Sequence, residues 1–561
     1  MRPVPELVLT LTVLLLVGCA ATPVDWLAEQ TGEEEPLGQL RGLMQLAGNL
    51  LRPCPQEARY EPVANAGVNP FGINTFLEQE VEVWKRERIA EMAAAAGFHW
   101  IRQGFPWEDI EIHGPGDFQD RRHEPYRSAW DKYDNIVDIA GQNDLQIIAL
   151  LSNPPAWSRA GGDEAGTYAP PDDLDDYGDY VFAVASRYQG RISHYQVWNE
   201  PNIYPEWGEQ PVDPEAYTDL LCLAYRRIKE ADAEAVVISG ALAQTISLNP
   251  GPGGGLGLND MAFLQRMYRA GAGDCFDVLA VNDYILWSGP TDQRIPPSYI
   301  INFSRPLYLR DIMVANGDAS KPIWLSEMNS NALPPDHPAP PSYGRVSLEQ
   351  QARYAPQAYQ RVMEEWPWAG VVNFWFFKRP HDLEADQSWY YFRMVEPDFA
   401  PLPVYDAMRE YTTGLTPTLY PGSHQEDHWA LKYTGEWETV SDGEAVLGRY
   451  LRAREAGAAV DFPFEGNSLI LTPGPGEGQI SVSVDGEDAR TFELEGRPLR
   501  LYSSLIRGVH GMRIEVLEGE VGLDSLTVHE TAMWSLTLLG AGLIVVLVAG
   551  LYRLLSRRRS F

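Results

Sequence analysis

The chain has 561 residues, 45% hydrophobic and 22% charged, and its 78 acidic against 44 basic side chains give a formal charge of −34. That length exceeds what one hydrophobic core usually supports, so two folded units are expected. The acidic balance excludes a general affinity for nucleic acid, which depends on clustered Lys and Arg.

The first residues, MRPVPELVLTLTVLLLVGCAATPV, carry Arg2 and then an apolar run from Leu7 to Val17. Such a run is too short to span a bilayer and ends in small residues, as an export signal does. Leu16-Val17-Gly18-Cys19 resembles the lipobox of bacterial lipoproteins, which implies a signal over 1–19 and lipidation of Cys19. An ordinary cleaved signal is the other reading. Residues 20–66 read mostly as linker.

From residue 67 a rhythm begins. PFGINTF (70–76) is a short apolar strand, and the following EVEVWKRERIAEMAAAAG sets Val81, Trp84, Ile89, Met92 and Ala96 roughly on one helical face before Gly97. Further strands lie in FHWIRQGFPW (98–107), LQIIALLSNPP (145–155), ISHYQVWNEPN (192–202) and AVVISGAL (235–242). FDVLAVNDY (276–284), PIWLSEMNS (322–330) and AGVVNFWFF (369–377) complete the set, each separated from the next by a helical segment. Nearly uniform apolar strands alternating with amphipathic helices imply a parallel sheet covered by helices. About eight such units over 67–415 fit an α/β fold of the (β/α)8 TIM-barrel type. An open doubly wound sheet is the alternative, but GINTFLEQE has no Gly-rich phosphate loop of the kind that fold places after its first strand.

After residue 415 the period changes to two. AAVDFPFEG, ISVSVDG, MRIEVLEG and DSLTVHE alternate between Gly-rich turns, which indicates antiparallel strands and an all-β sandwich over 420–530. GVHGMRIEV followed by GLDSLTV resembles the closing strands of galactose-binding-like jelly rolls; that likeness allows sugar binding, while a spacer is the plainer role. Residues 532–552 then carry no charge, a length that at helical rise covers the roughly 30 Å hydrocarbon layer. Arg553, Arg557, Arg558 and Arg559 follow. The expectation is a C-terminal transmembrane helix with a basic cytoplasmic tail over 553–561 and everything before residue 532 outside the cell. Membrane lipid is then a partner through this helix and through Cys19. Of the other cysteines, Cys222 and Cys275 read as two small buried thiols, with a bond between them as the alternative, and Cys54 is left over.

The chemistry sits at strand ends. In a barrel the C-terminal ends of the strands form the active site, so a polar residue that ends an apolar strand points into it. Asn199-Glu200 does so after His194-Tyr195-Gln196-Val197-Trp198, and Glu327 does so after Ile323-Trp324-Leu325. Strands four and seven lie on opposite sides of an eight-stranded ring, so the two carboxyl groups can face each other across the mouth. Two facing carboxyls are the equipment of glycosidic bond cleavage, without metal or cofactor.

On these residues the chain resembles the retaining glycoside hydrolases of the large (β/α)8 clan A over about 67–412. WNEPN, Trp207 and DPEAYTDLL are most similar to the branch of β-xylosidases, α-iduronidases and cellulase-like enzymes. The resemblance implies Glu200 as acid/base, Glu327 as nucleophile, Asn199 as the partner of a sugar 2-hydroxyl, Arg102 and Tyr284 as partners of the nucleophile, and Trp375 as the floor under the sugar. Structural alternatives are an ion pair for Arg102, a packing tyrosine for Tyr284 and ordinary core for Trp375. Asn153, Trp157, Trp207 and Trp287 are candidate subsite walls or loop packing. Where many relatives carry a His two residues before the tyrosine, this chain has Asn282. The substrate expected is an oligo- or polysaccharide. A catalytically inactive glycan-binding protein and a transglycosylase are the alternatives, and sugar, linkage and oligomeric state are open.

Overall fold

The computed structural model describes residues 23–49, 52–249 and 257–530. Eight parallel strands occupy the segments whose apolar runs stand out in the sequence: β1 (Phe71–Thr75), β2 (Trp100–Gly104), β3 (Gln146–Leu151), β4 (His194–Val197), β5 (Val236–Ile238), β6 (Leu279–Asn282), β7 (Ile323–Met328) and β8 (Ala369–Phe374). They pair in the order β6-β7-β8-β1-β2-β3-β4-β5. Parallel bridges from Ile238 to Val278 and from Leu242 to Val281 join β5 to β6 and close the ring. The fold is therefore a barrel, not the open sheet.

Helices cover the ring from outside, and their starts are set locally. Asp213 accepts from the backbone of Glu215 and Ala216 ahead of Pro214–Ala231, Asn259 does the same for Asp260–Arg269, and Ser347 with Gln350 forms a capping box at Leu348–Glu365. Gly97, at φ +81°, ends the helix Val83–Ala95 in the left-handed region that favours glycine.

Antiparallel strands from Gly422–Gln425 to Val521–His529 form the second unit, a β-sandwich around Val460, Phe462, Phe464, Ile480, Ile514 and Leu526. It caps the N-terminal face of the barrel. The Trp429 amide donates to the Gly67 carbonyl at 2.8 Å, the Trp429 ring meets Phe71 edge-on, and His424 and His428 face Trp366 and Pro367, just ahead of β8. The strand ends where chemistry is expected lie on the opposite face.

Several sequence expectations need correction. Among the described residues no helix is long and apolar enough to cross a membrane: the longest, Pro214–Ala231 and Leu348–Glu365, are 18 residues each and carry charge along one face. Among the described residues the fold class is thus barrel plus sandwich, with no transmembrane helix. The single-pass membrane localisation built on that helix, with its membrane-lipid contact, is withdrawn. The expected span 532–552, the tail 553–561 and Cys19 all lie outside the described residues.

The segment read as linker is folded in part. Helices α1 (Pro23–Thr31) and α2 (Pro36–Asn49) dock beside the loop after β6, where Arg294 reaches the Thr31 carbonyl and Glu33, both at 2.9 Å. Cys222 and Cys275 are not free thiols but a disulfide, with 53 residues of separation, between a barrel helix and the approach to β6. Chain entropy makes a loop of that length worth about 4 kcal/mol at most. Accordingly the Cys222→Ala/Cys275→Ala double variant is expected to unfold in urea with roughly 2–4 kcal/mol less stability than the parent. An unchanged midpoint would show that the cross-link constrains nothing the fold does not already hold.

Candidate active site

Side chains two apart on a strand share a face, and this period builds the site from the barrel floor upward. Trp100, Ile148, Ile238, Ala280, Trp324 and Val371 fill the lower interior, with His194 stacked on Trp324. Two residues further on β2, β4, β6, β7 and β8 come Arg102, Gln196, Asn282, Ser326 and Asn373, all buried. An apolar plug thus carries a polar layer directly above it. On β7 the register with β6 and β8 shifts near Leu325–Met328, so that Glu327 follows Ser326 into the interior; a bulge re-aims a side chain in this way.

Arg102 organises the layer. Its Nε donates to Gln196 Oε1 at 2.6 Å, and its Nη1 to Asn74 Oδ1 at 2.8 Å and to Glu327 Oε1 at 3.1 Å. Nη2 donates to Asn199 Oδ1 at 2.8 Å. The other oxygen of Glu327 accepts from the Tyr284 hydroxyl. Asn199 pairs with Ala241 just past the end of β4, and Trp198 and Glu200 both adopt positive φ, +75° and +44°. Non-glycine residues reach that region at a cost and are held there by their surroundings. Here the turn sends the Glu200 carboxyl toward β6, where it accepts from Asn282 Nδ2 at 2.6 Å. Asn282 is also the register partner of Glu327 on the neighbouring strand, so one residue stands next to both carboxyl groups.

The two carboxyls differ electrostatically. Burial pushes both upward. At Glu327 the Arg102 guanidinium and the Tyr284 hydroxyl oppose that push. At Glu200 the negative charges of Glu327 and Glu206 add to it, and its pKa stands well above the ordinary range. Glu327 is therefore the first of the pair to ionise, and Glu200 is the one that keeps its proton.

A cleft of about 520 Å³ opens beside Glu327, lined among others by Asn74, Arg102, Asn153, Asn199 and Trp375. Of the residues singled out in the sequence, Asn199, Glu200, Glu327, Arg102 and Tyr284 converge on one centre, and Asn153 and Trp375 line the cleft. Trp207 does not join them: it is 2% exposed and packs between Trp198 and Tyr217. Trp157 donates its indole N–H to the Glu111 carbonyl and meets Trp107 edge-on, which is loop packing. The Asn282 departure proves to be central.

Glu206 and Tyr343 were not legible in the sequence. Glu206 lies six residues past Glu200, close to Asn199, and is pushed up to about 7, first by burial and then by the charge of Glu327. Tyr343, on the loop after β7, feels the charges of Glu200 and Glu327. Both sit on irregular loops, where no periodicity points to the site.

No protein-family model matches the chain, and no curated protein does. Solved structures similar to it include a family 39 glycoside hydrolase from Bacteroides cellulosilyticus WH2, at 18% identity and TM-score 0.47, covering 81% of this chain and 82% of that one. A monomeric beta-xylosidase from Caulobacter crescentus CB15 matches at 14% identity and TM-score 0.43, with 82% and 98% covered. Xylanase 10B from Thermotoga maritima matches at 17% and 0.40, with 61% and 94% covered. Similarity of this degree decides nothing about chemistry, which has to be argued from the side chains of the mouth.

A carboxyl whose folded pKa lies near 7 instead of 4.5 binds a proton in the folded state that the unfolded chain has released. Its contribution is present below about pH 4.5 and is lost as pH rises through 7. Glu206→Gln should therefore flatten the decline in denaturation free energy between these pH values, measured in urea at several pH. A slope identical to the parent's would mean that Glu206 titrates normally.

Proposed function

We propose that the chain is a glycosidase that hydrolyses O-glycosidic bonds by double displacement through a covalent glycosyl-enzyme. The observation that carries this reading is the unequal treatment of two neighbouring carboxyls: Glu327 is held by Arg102 and Tyr284, whereas Glu200 forms no ion pair among the described residues and accepts from the neutral Asn282 amide. A retaining mechanism needs carboxyls roughly 5 Å apart, close enough for direct attack, whereas inversion leaves about 6.5–9.5 Å for a water. Asn282, which donates to Glu200 and is the register partner of Glu327, stands next to both carboxyls, which favours the shorter separation.

The chemistry follows from those environments. Glu327, ionised, attacks the anomeric carbon while Glu200 gives its proton to the departing oxygen, so the leaving group departs neutral. With the leaving group gone, Glu200 is an anion and takes a proton from water, which attacks the anomeric carbon and releases Glu327. Asn199, its carbonyl oxygen occupied by Arg102, keeps its N–H groups for acceptors on the sugar. Trp375 offers an aromatic surface on the cleft wall against which the apolar face of a pyranose can lie.

Kinetics of two variants on a panel of aryl glycosides and oligosaccharides test the assignment. Glu327→Gln should lose roughly 10⁴-fold or more in kcat with every substrate, since no nucleophile remains. Glu200→Gln should lose roughly 10²–10⁴-fold with natural leaving groups, far less with a dinitrophenolate that needs no proton, and should also lose the alkaline limb of the pH profile. Turnover by Glu327→Gln near the parent rate would rule out the proposed roles, and so would equal losses for both leaving groups in Glu200→Gln.

A further inference from the structure

The WNEPN motif ends in Asn202, a side chain with no part in the proton transfers. It is fully buried, at 0% exposure, two residues past Glu200. Its amide clasps the backbone of Ala243 twice: Nδ2 donates to the Ala243 carbonyl at 2.9 Å, and Oδ1 accepts from the Ala243 N–H at 2.8 Å. The Glu200 N–H donates to the Ala241 carbonyl at 2.9 Å. The segment that leaves β5, residues 241–244, is thus fastened to the turn that aims the acid/base.

The same segment is fastened to the end of β6. The Asn282 N–H donates to the Leu242 carbonyl at 2.9 Å, and Gln244 then makes two side-chain contacts at once. Its Oε1 accepts from the Tyr284 N–H at 3.0 Å, and its Nε2 donates to Asp283 Oδ1. The Asp283 N–H in turn donates to the Glu327 carbonyl at 2.9 Å. Hydrogen bonds and one short stretch of backbone therefore run from the turn of Glu200 to the residue whose hydroxyl holds Glu327. Asp283 is 0% exposed, and among the described residues its Oδ2 has no hydrogen-bond partner. Burial holds its carboxyl well above the ordinary range, although Arg361, Gln244 and Arg305 oppose that push. Burying a carboxyl with so few contacts is costly, and the side-chain contact it does make is the one that orients Gln244.

We propose that Gln244 is a positioning residue: by holding the Tyr284 backbone against the segment that Asn202 anchors, it sets the Tyr284 hydroxyl on Glu327 and fixes the turn of Glu200 relative to the nucleophile's strand. The inference rests on the glycosidase reading and deepens it. Gln244 touches no reacting atom. The charged or titratable groups around Glu327 are Arg102, Glu200, Glu206, Tyr284 and Tyr343, and Gln244 acts on Glu327 through Tyr284. A phenol that donates to a carboxylate favours its charged form. When that phenol is free to swing away, Glu327 ionises at higher pH.

The test is the acid limb of the kcat/KM profile against pH, which reports the lower apparent pKa of the carboxyl pair in the free enzyme, measured on an aryl glycoside. Tyr284→Phe removes the phenol hydrogen bond and should move that limb upward by roughly one pH unit. Gln244→Met, close in size but without the amide, should move it the same way by roughly half a unit or more. The double variant should shift no further than Tyr284→Phe alone, because members of one hydrogen-bonded chain are not additive. A merely structural role would lower the melting temperature and leave the limb in place. Should Gln244→Met fail to fold, Asp283→Ala, which frees the Gln244 amide, is read against Tyr284→Phe in the same way. If Tyr284→Phe moves the limb but Gln244→Met does not, or if the double variant shifts by the sum of the singles, the positioning role is overturned while the glycosidase reading stands. If the parent hydrolyses no glycoside, the underlying reading fails and the positioning role fails with it.

Discussion

Everything in the mouth of this barrel depends on the buried contact between Arg102 and Glu327. Both side chains are almost fully withdrawn from water, at 3% and 4% exposure, and their charged atoms lie 3.1 Å apart. Burial of two ions is costly, and their mutual attraction rarely repays it alone. Here the deficit is met by hydrogen bonds: the guanidinium also donates to Asn74, Gln196 and Asn199, so one side chain ties together strands β1, β2, β4 and β7. The carboxylate is thereby fixed in direction as well as in charge.

That single arrangement produces the asymmetry that two-carboxylate chemistry requires. Glu200 stands beside an ionised neighbour and a second acid, Glu206, and among the described residues only the neutral Asn282 donates to it. Its proton is retained because the cation has been committed elsewhere. The apolar plug of Trp100, Trp324 and their neighbours keeps water from reaching the layer from below, which preserves the low dielectric in which these differences are large. The sandwich on the opposite face supports that floor and takes no part in the mouth.

The strands and the paired carboxylates could be read in the sequence because both follow from period. Each barrel strand is buried on both faces and so is written as an uninterrupted apolar run, and a polar residue at its end stands out against it. Positions that depend on distance could not be read. Cys222 and Cys275 meet only because the helix Pro214–Ala231 packs beside the approach to β6, and nothing in their 53-residue spacing says so. Trp207 looked like a subsite wall because it follows the WNEPN motif, yet it is packed between Trp198 and Tyr217. PVDWLAEQT and PLGQLRGLMQLAGN are short, rich in Gly and Pro at their edges, and amphipathic only against a surface that the rest of the chain supplies. Glu206 and Tyr343 belong to loops, where side-chain direction follows from tertiary packing and not from period.

The most direct test of the central claim is the identity of the atom that bonds to the sugar. Incubation with a 2-deoxy-2-fluoro glycoside bearing a good leaving group slows release of the intermediate, and proteolysis with mass spectrometry locates the adduct. The account predicts one covalent glycosyl group per chain, on Glu327, formed at a rate that falls sharply when Arg102 is replaced by methionine. An adduct on Glu200 or Glu206, or active enzyme that forms none while releasing product of inverted configuration, would contradict it.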